Sequence, residues 1–169
     1  MRHYDGQILD ICKFAFTAYT AVLGAGLAIY KYGVDKGIDY KGPAIAILSV
    51  GLFLGLCMMA LATRNRAYYV LVARYINEHR AFFLSSKPLG FENRTRMYSN
   101  PDHPPFFNWH SAQTLLMAVL SGLNSFLAAT LAFLISTEKR WILWAVFLAC
   151  WLCQLAIAIT YLKCRERKN

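Results

Sequence analysis

Charge is scarce in this chain, and it is missing from four long tracts. Asp, Glu, Lys and Arg make up 16% of the 169 residues, against about 25% in soluble domains. None of them, and no His, lies deep within the stretches about Ile11–Tyr32, Ala44–Thr63, Ala112–Ser136 and Trp141–Leu162. That argues against a proton-coupled pump or an ion carrier built on buried charge, and leaves a pore open. A phosphate-cradling Gly-rich motif is missing, as are paired carboxylates, a nucleophile–base set and a zinc-type cysteine pattern. The chain is therefore expected to act without catalysis and to hold no cofactor or metal. Asp102, His103 and His110 fit no zinc spacing. Five cysteines make no disulfide framework. Cys57, Cys150 and Cys153 fall within the apolar tracts, where the CxxC pair at 150 and 153 lacks the electropositive setting that activates a thiol. Cys12 and Cys164 lie near tract ends, where palmitate could attach.

What remains is strongly apolar, 57% of the chain. Each tract holds close to the roughly 20 residues a helix needs to cross a hydrocarbon core about 30 Å thick. The expected fold is an all-α membrane protein, a single four-span domain over residues 1–169. Only Thr137–Arg140 separates the last two tracts, and Gly33–Pro43 joins the first two, so the spans are expected as two hairpins. Pro43 suits the first turn of the second helix, where a missing N–H costs nothing. Lys and Arg fall thirteen on the side of the termini and the middle segment, five on the side of the two short loops. The positive-inside rule then places both termini and residues 64–111 in the cytoplasm of a plasma or bacterial inner membrane. On that topology the Asn93-Arg94-Thr95 sequon is silent. A cleavable signal peptide around Phe14–Ala28 is the rival reading; Asp5 and Asp10 dilute its positive start, and the apolar run continues past the cut.

Small residues mark where spans should meet, because helices in lipid associate by close packing and hydrogen bonds. Gly51 and Gly55 form a GxxxG pair, and Gly24 with Ala28 has the same spacing. These positions pack either within one bundle or between copies. Asn124 and Gln154 lie near mid-span and need partners. They either bond to one another or, repeated about an oligomer axis, line a narrow polar path.

Nothing breaks a helix between Gly55 and Pro88, so the second span is expected to continue over Arg64–Leu84. At 100° per residue, Tyr68, Val72, Tyr75, His79, Phe82 and Phe83 share one face, and Arg66, Arg74, Asn77 and Arg80 the opposite one. The aromatic face is expected to pack and the arginine face to be solvated or to meet anionic lipid. Arg66, Arg74, Arg80, Arg94 and Arg96 are thus the candidates for an anionic ligand or lipid. Lys87–His110, with Pro88, Pro101, Pro104 and Pro105, reads as a loop returning the chain to the bilayer, with Asn108 or Ser111 capping the third helix.

Arg74-Tyr75-Ile76-Asn77-Glu78-His79 resembles the R-x4-H pattern of the HEPN ribonuclease superfamily, which would imply metal-independent RNA cleavage by Arg74 and His79. Five positions on an unbroken helix set those side chains about 140° apart, so that reading requires a kink. Two functions stand ahead of it. The leading expectation is a homo-oligomeric channel or membrane-permeabilising effector with a basic cytoplasmic sensing or gating segment. The alternative is a membrane-anchored adaptor docking a cytoplasmic protein or anionic ligand through residues 64–110.

Overall fold

A computed structural model describes residues 2–86, 90–94, 98–135 and 140–167 of the chain. Within them are four α-helices: α1 (Arg2–Lys36), α2 (Lys41–Ser85), α3 (Ala112–Ile135) and α4 (Arg140–Glu166). All four are long and apolar enough to cross a membrane. The loop between α3 and α4 lies outside the described residues, as does Arg96.

The turn after α1 shows why that helix stops. Gly37 takes φ +68°, a conformation that costs glycine nothing. The Ile38 N–H then donates to the Gly33 carbonyl at 2.9 Å and the Gly37 N–H to Val34 at 3.3 Å, the Schellman closure that satisfies orphan carbonyls at a helix end. Tyr40 precedes α2 without a side-chain cap. Asp39 instead accepts the Lys41 N–H at 3.0 Å, and Pro43 occupies the first turn.

α2 runs unbroken for 45 residues, about 68 Å at 1.5 Å per residue and more than twice a hydrocarbon core. Ten of its buried residues form one stripe at helical spacing, Ala44, Leu48, Gly51, Gly55, Met59, Ala62, Arg66, Val70, Ala73 and Asn77, widened midway by Thr63, Asn65 and Ala67. The stripe keeps its position while its chemistry changes, from small and apolar to arginine and asparagine. α1 packs along its first part, and α3 packs against α2 and α4. α3 is the most enclosed helix and α4 the most peripheral.

Close approach on the stripe depends on glycine. A Cβ at Gly51 would strike the Val22 side chain, and one at Gly55 would strike both Tyr19 Oη and Asn124 Oδ1. The GxxxG pair is thus filled from within the chain, by α1 on one side and α3 on the other. Gly24, by contrast, faces open space.

Gly55→Ala is expected to lower stability by about 1–3 kcal/mol, the usual cost of overpacking, while Gly24→Ala is neutral or slightly stabilising. Thermal melts of the detergent-solubilised variants compare the two.

Candidate functional site

Two polar assemblies and one exposed surface stand out against the apolar bundle. The first assembly lies at mid-span. Asn124 is fully buried on α3; its Oδ1 accepts the Tyr19 hydroxyl from α1, and its Nδ2 donates to Gln154 Oε1 on α4 at 2.8 Å. Gln154 Nε2 donates to the Cys150 carbonyl at 3.2 Å and reaches Ser125 Oγ at 3.4 Å. Ser125 Oγ bonds the Ser121 carbonyl at 2.7 Å, and Ser121 Oγ bonds the Trp151 carbonyl at 3.2 Å. Trp151 Nε1 completes the set by donating to the Ala118 carbonyl at 3.2 Å. In hydrocarbon each of these groups would cost several kcal/mol if left unpaired. Paired, they tie three helices together at one level.

The second assembly gathers where the chain returns from residue 98 to α3. Arg66 is only 3% exposed. Its Nε donates to the Phe106 carbonyl at 3.1 Å, one terminal nitrogen to Pro105 O at 2.8 Å, and the other to Gln113 Oε1 at 3.2 Å. The guanidinium also lies 5.4 Å from the Tyr69 ring. Two turns on, Arg74 Nε donates to the Pro104 carbonyl at 3.1 Å. Its other face covers the Phe106 ring at 4.9 Å, and a terminal nitrogen pairs with Glu166 at the end of α4. Glu166 Oε2 in turn accepts the Phe106 N–H at 2.7 Å. Asn77 Nδ2 finishes the row, donating to the carbonyls of Asn100 (3.1 Å) and His103 (2.7 Å). Phe106, fully buried, is therefore held through its amide, its carbonyl and its ring at once.

This arrangement reverses the expected faces of the α2 extension. The arginine face is the packed one: loop 98–111 runs along it, because its carbonyls supply acceptors that a guanidinium's five donors can use. The aromatic face is the open one, with Tyr68 at 52%, Tyr75 at 61%, Phe82 at 75% and Phe83 at 66% exposed. His79 joins it, its ring 4.2 Å from that of Tyr75 and its Nδ1 3.1 Å from the Tyr75 carbonyl.

Of the five arginines named for an anionic ligand, Arg66 and Arg74 are thus turned into the protein. An anion would have to displace their carbonyl partners. Arg80 is exposed, with its guanidinium 5.6 Å from the Tyr98 ring, and Arg94 is exposed on the loop. Arg74 and His79 do not converge, since α2 carries no kink between them and the Arg74 guanidinium is already engaged. Among the described residues no three of His, Cys, Asp and Glu come together to hold a metal ion. Asn108 shapes the approach to α3 by accepting the His110 N–H at 3.0 Å. Cys12 is buried and Cys164 exposed.

Sequence reasoning missed Tyr19, Gln113, Phe106 and Glu166. A signal existed for Arg66: stepping the Gly51–Gly55–Met59–Ala62 stripe onward by helical turns lands on Arg66, Val70, Ala73 and Asn77. Glu166 carried a weaker one, as an acid in the last turn of a helix, where the dipole disfavours it unless a cation is near.

Comparison with protein-family models, with curated proteins and with solved structures gives no match.

Arg66→Ala removes donors from three acceptors, two of them in buried contacts, and is expected to cost about 2–4 kcal/mol, with protease cleavage appearing at Phe106–Phe107. Arg80→Ala is expected to change the melting temperature little. Limited proteolysis beside thermal melts reads both effects.

Proposed function

We propose that this chain is a membrane-anchored docking platform. In this reading the four helices cross the bilayer as two hairpins, with both termini and residues 64–111 on the cytoplasmic side. The thirteen-to-five division of cations supports that orientation. The α2 extension then stands beyond the inner surface as a rod stiffened by loop 98–111. Its aromatic ridge, Tyr68, Tyr75, Phe82 and Phe83, receives a cytoplasmic protein.

One observation carries the reading. Outside the bilayer, a run of large exposed aromatics along one helix face marks an interaction surface. Here it lies on an element whose opposite face is fixed by a row of buried and part-buried polar contacts. Aromatic anchors on a rigid support are the residues that dominate binding at interfaces, and a preformed surface spends little free energy on ordering when it binds.

A second reading is a homo-oligomeric channel or membrane-permeabilising effector. It is favoured by the continuation of the same open face into the span, through Leu61 and Leu54, each about half exposed. Asn124 and Gln154 bond to one another inside the chain, so a pore between copies would draw its lining from Thr17, Thr20, Ser49 or Thr160, which are exposed.

A photo-crosslinking residue at Tyr75 or Phe82 in cells is expected to trap a discrete protein, and the same residue at Ala73 to trap none. Tyr75→Ala with Phe82→Ala is expected to weaken that partner on the order of 10–100-fold without loss of membrane insertion. Adducts of twice the chain's own mass, together with conductance in planar bilayers, would instead select the oligomeric channel. Impermeant thiol reagents are expected to label Cys164 only from the cytoplasmic side.

A further inference from the structure

α2 and α4 touch only lightly, and between them runs a groove of about 340 Å³ lined by Leu56, Met59, Ala60, Ile157, Ala158 and Tyr161. Gln154 lines it beside Leu56 toward one end, and Thr63 and Arg64 line it toward the other. All of these positions but Arg64 fall within the apolar tracts, so the groove opens sideways to hydrocarbon. Its length from Leu56 to Arg64 is eight residues, about 12 Å of rise, close to the roughly 15 Å of one leaflet's hydrocarbon.

The mouth is cationic. Among the described residues Arg64 has neither an ion-pair nor a hydrogen-bond partner, and it is exposed. Asp10 borders its other flank but lies 3.7 Å from Lys13 in an ion pair of its own. Arg165, one turn past Tyr161, has its guanidinium 5.6 Å from the Tyr161 ring at the same end. Gln154, toward the opposite end, already has hydrogen-bond partners on both amide atoms, so nothing there asks for a polar occupant.

We infer that the α2/α4 groove holds one acyl chain of an anionic phospholipid, with its phosphate at Arg64. An acyl chain fits a slot whose lining is almost wholly apolar between Leu56 and Tyr161. A basic rim at headgroup depth selects a negative headgroup over a zwitterionic one. The inference rests on the orientation proposed above only in naming the inner leaflet. The groove and its headgroup preference stand apart from the aromatic ridge, whose crosslinking is read separately.

The test is native mass spectrometry of the whole chain released from nanodiscs of equal phosphatidylglycerol and phosphatidylcholine. The wild-type chain is expected to retain phosphatidylglycerol about fivefold over phosphatidylcholine, the worth of one arginine near an anionic surface. Arg64→Gln is expected to bring the two lipids to parity, while Arg80→Gln leaves the preference intact. Ala60→Phe, which fills the groove from an exposed position, is expected to abolish retention of either lipid while helicity and melting are unchanged. Equal retention by the wild-type chain overturns the proposal, as does a preference that survives Arg64→Gln or lipid that survives Ala60→Phe. A lipid-free dimer lost on Ala60→Phe also overturns it, by making a second copy the occupant.

Discussion

A guanidinium taken out of water must be given acceptors, and the lower half of this molecule is arranged around that requirement. Arg66 is buried, and removing an ion from water costs several kcal/mol unless hydrogen bonds replace its hydration. The carbonyls of Pro105 and Phe106 and the Gln113 amide do so. Because those acceptors belong to the return loop and the first turns of α3, satisfying Arg66 fixes the path of the chain between α2 and α3. Arg74, two turns on, and Asn77, about one turn beyond it, repeat the device beside and along the stripe, and Glu166 brings in the end of α4. The loop has few apolar residues to bury; its backbone is what it offers, and α2 takes hold of the backbone.

The mid-span assembly obeys the same rule in a different solvent. There the partners are neutral, Tyr19, Asn124, Gln154, Ser121 and Ser125, because charge would be far costlier in hydrocarbon. Gly55 makes room for the Tyr19–Asn124 contact by having no side chain. Packing and polar pairing therefore converge on one spot, and the small-residue motif, the amide and the phenol belong to a single junction of α1, α2 and α3. One polar set locks the helices to one another; the other locks the loop to the helices.

Much of the fold was legible in the sequence because hydropathy reports it directly. Four apolar tracts became four helices, and the absence of Gly and Pro from Leu56 to Lys87 foretold a second helix far longer than a bilayer requires. The side-chain arrangement was less legible, for a physical reason. A hydrophobic face is normally the packed face, so Tyr68, Tyr75 and Phe82 pointed one way and Arg66, Arg74 and Asn77 the other. Packing here was decided by what the loop could supply. A segment such as Asn100–Phe106, rich in Pro, short of donors and full of free carbonyls, pairs better with arginines than with rings. Phe106 and Glu166 were invisible for another reason: their roles exist only once residues 60 positions apart are brought together.

The central claim is that the α2 extension turns its arginine face inward and its aromatic face outward. A nitroxide scan across residues 64–85 of the chain in nanodiscs, read with a water-soluble paramagnetic relaxant, tests it most directly. Accessibility should rise and fall with helical period, with maxima at 68, 75 and 82 and minima at 70, 73 and 77. Maxima at 70, 73 and 77, or a flat profile without period, would contradict it.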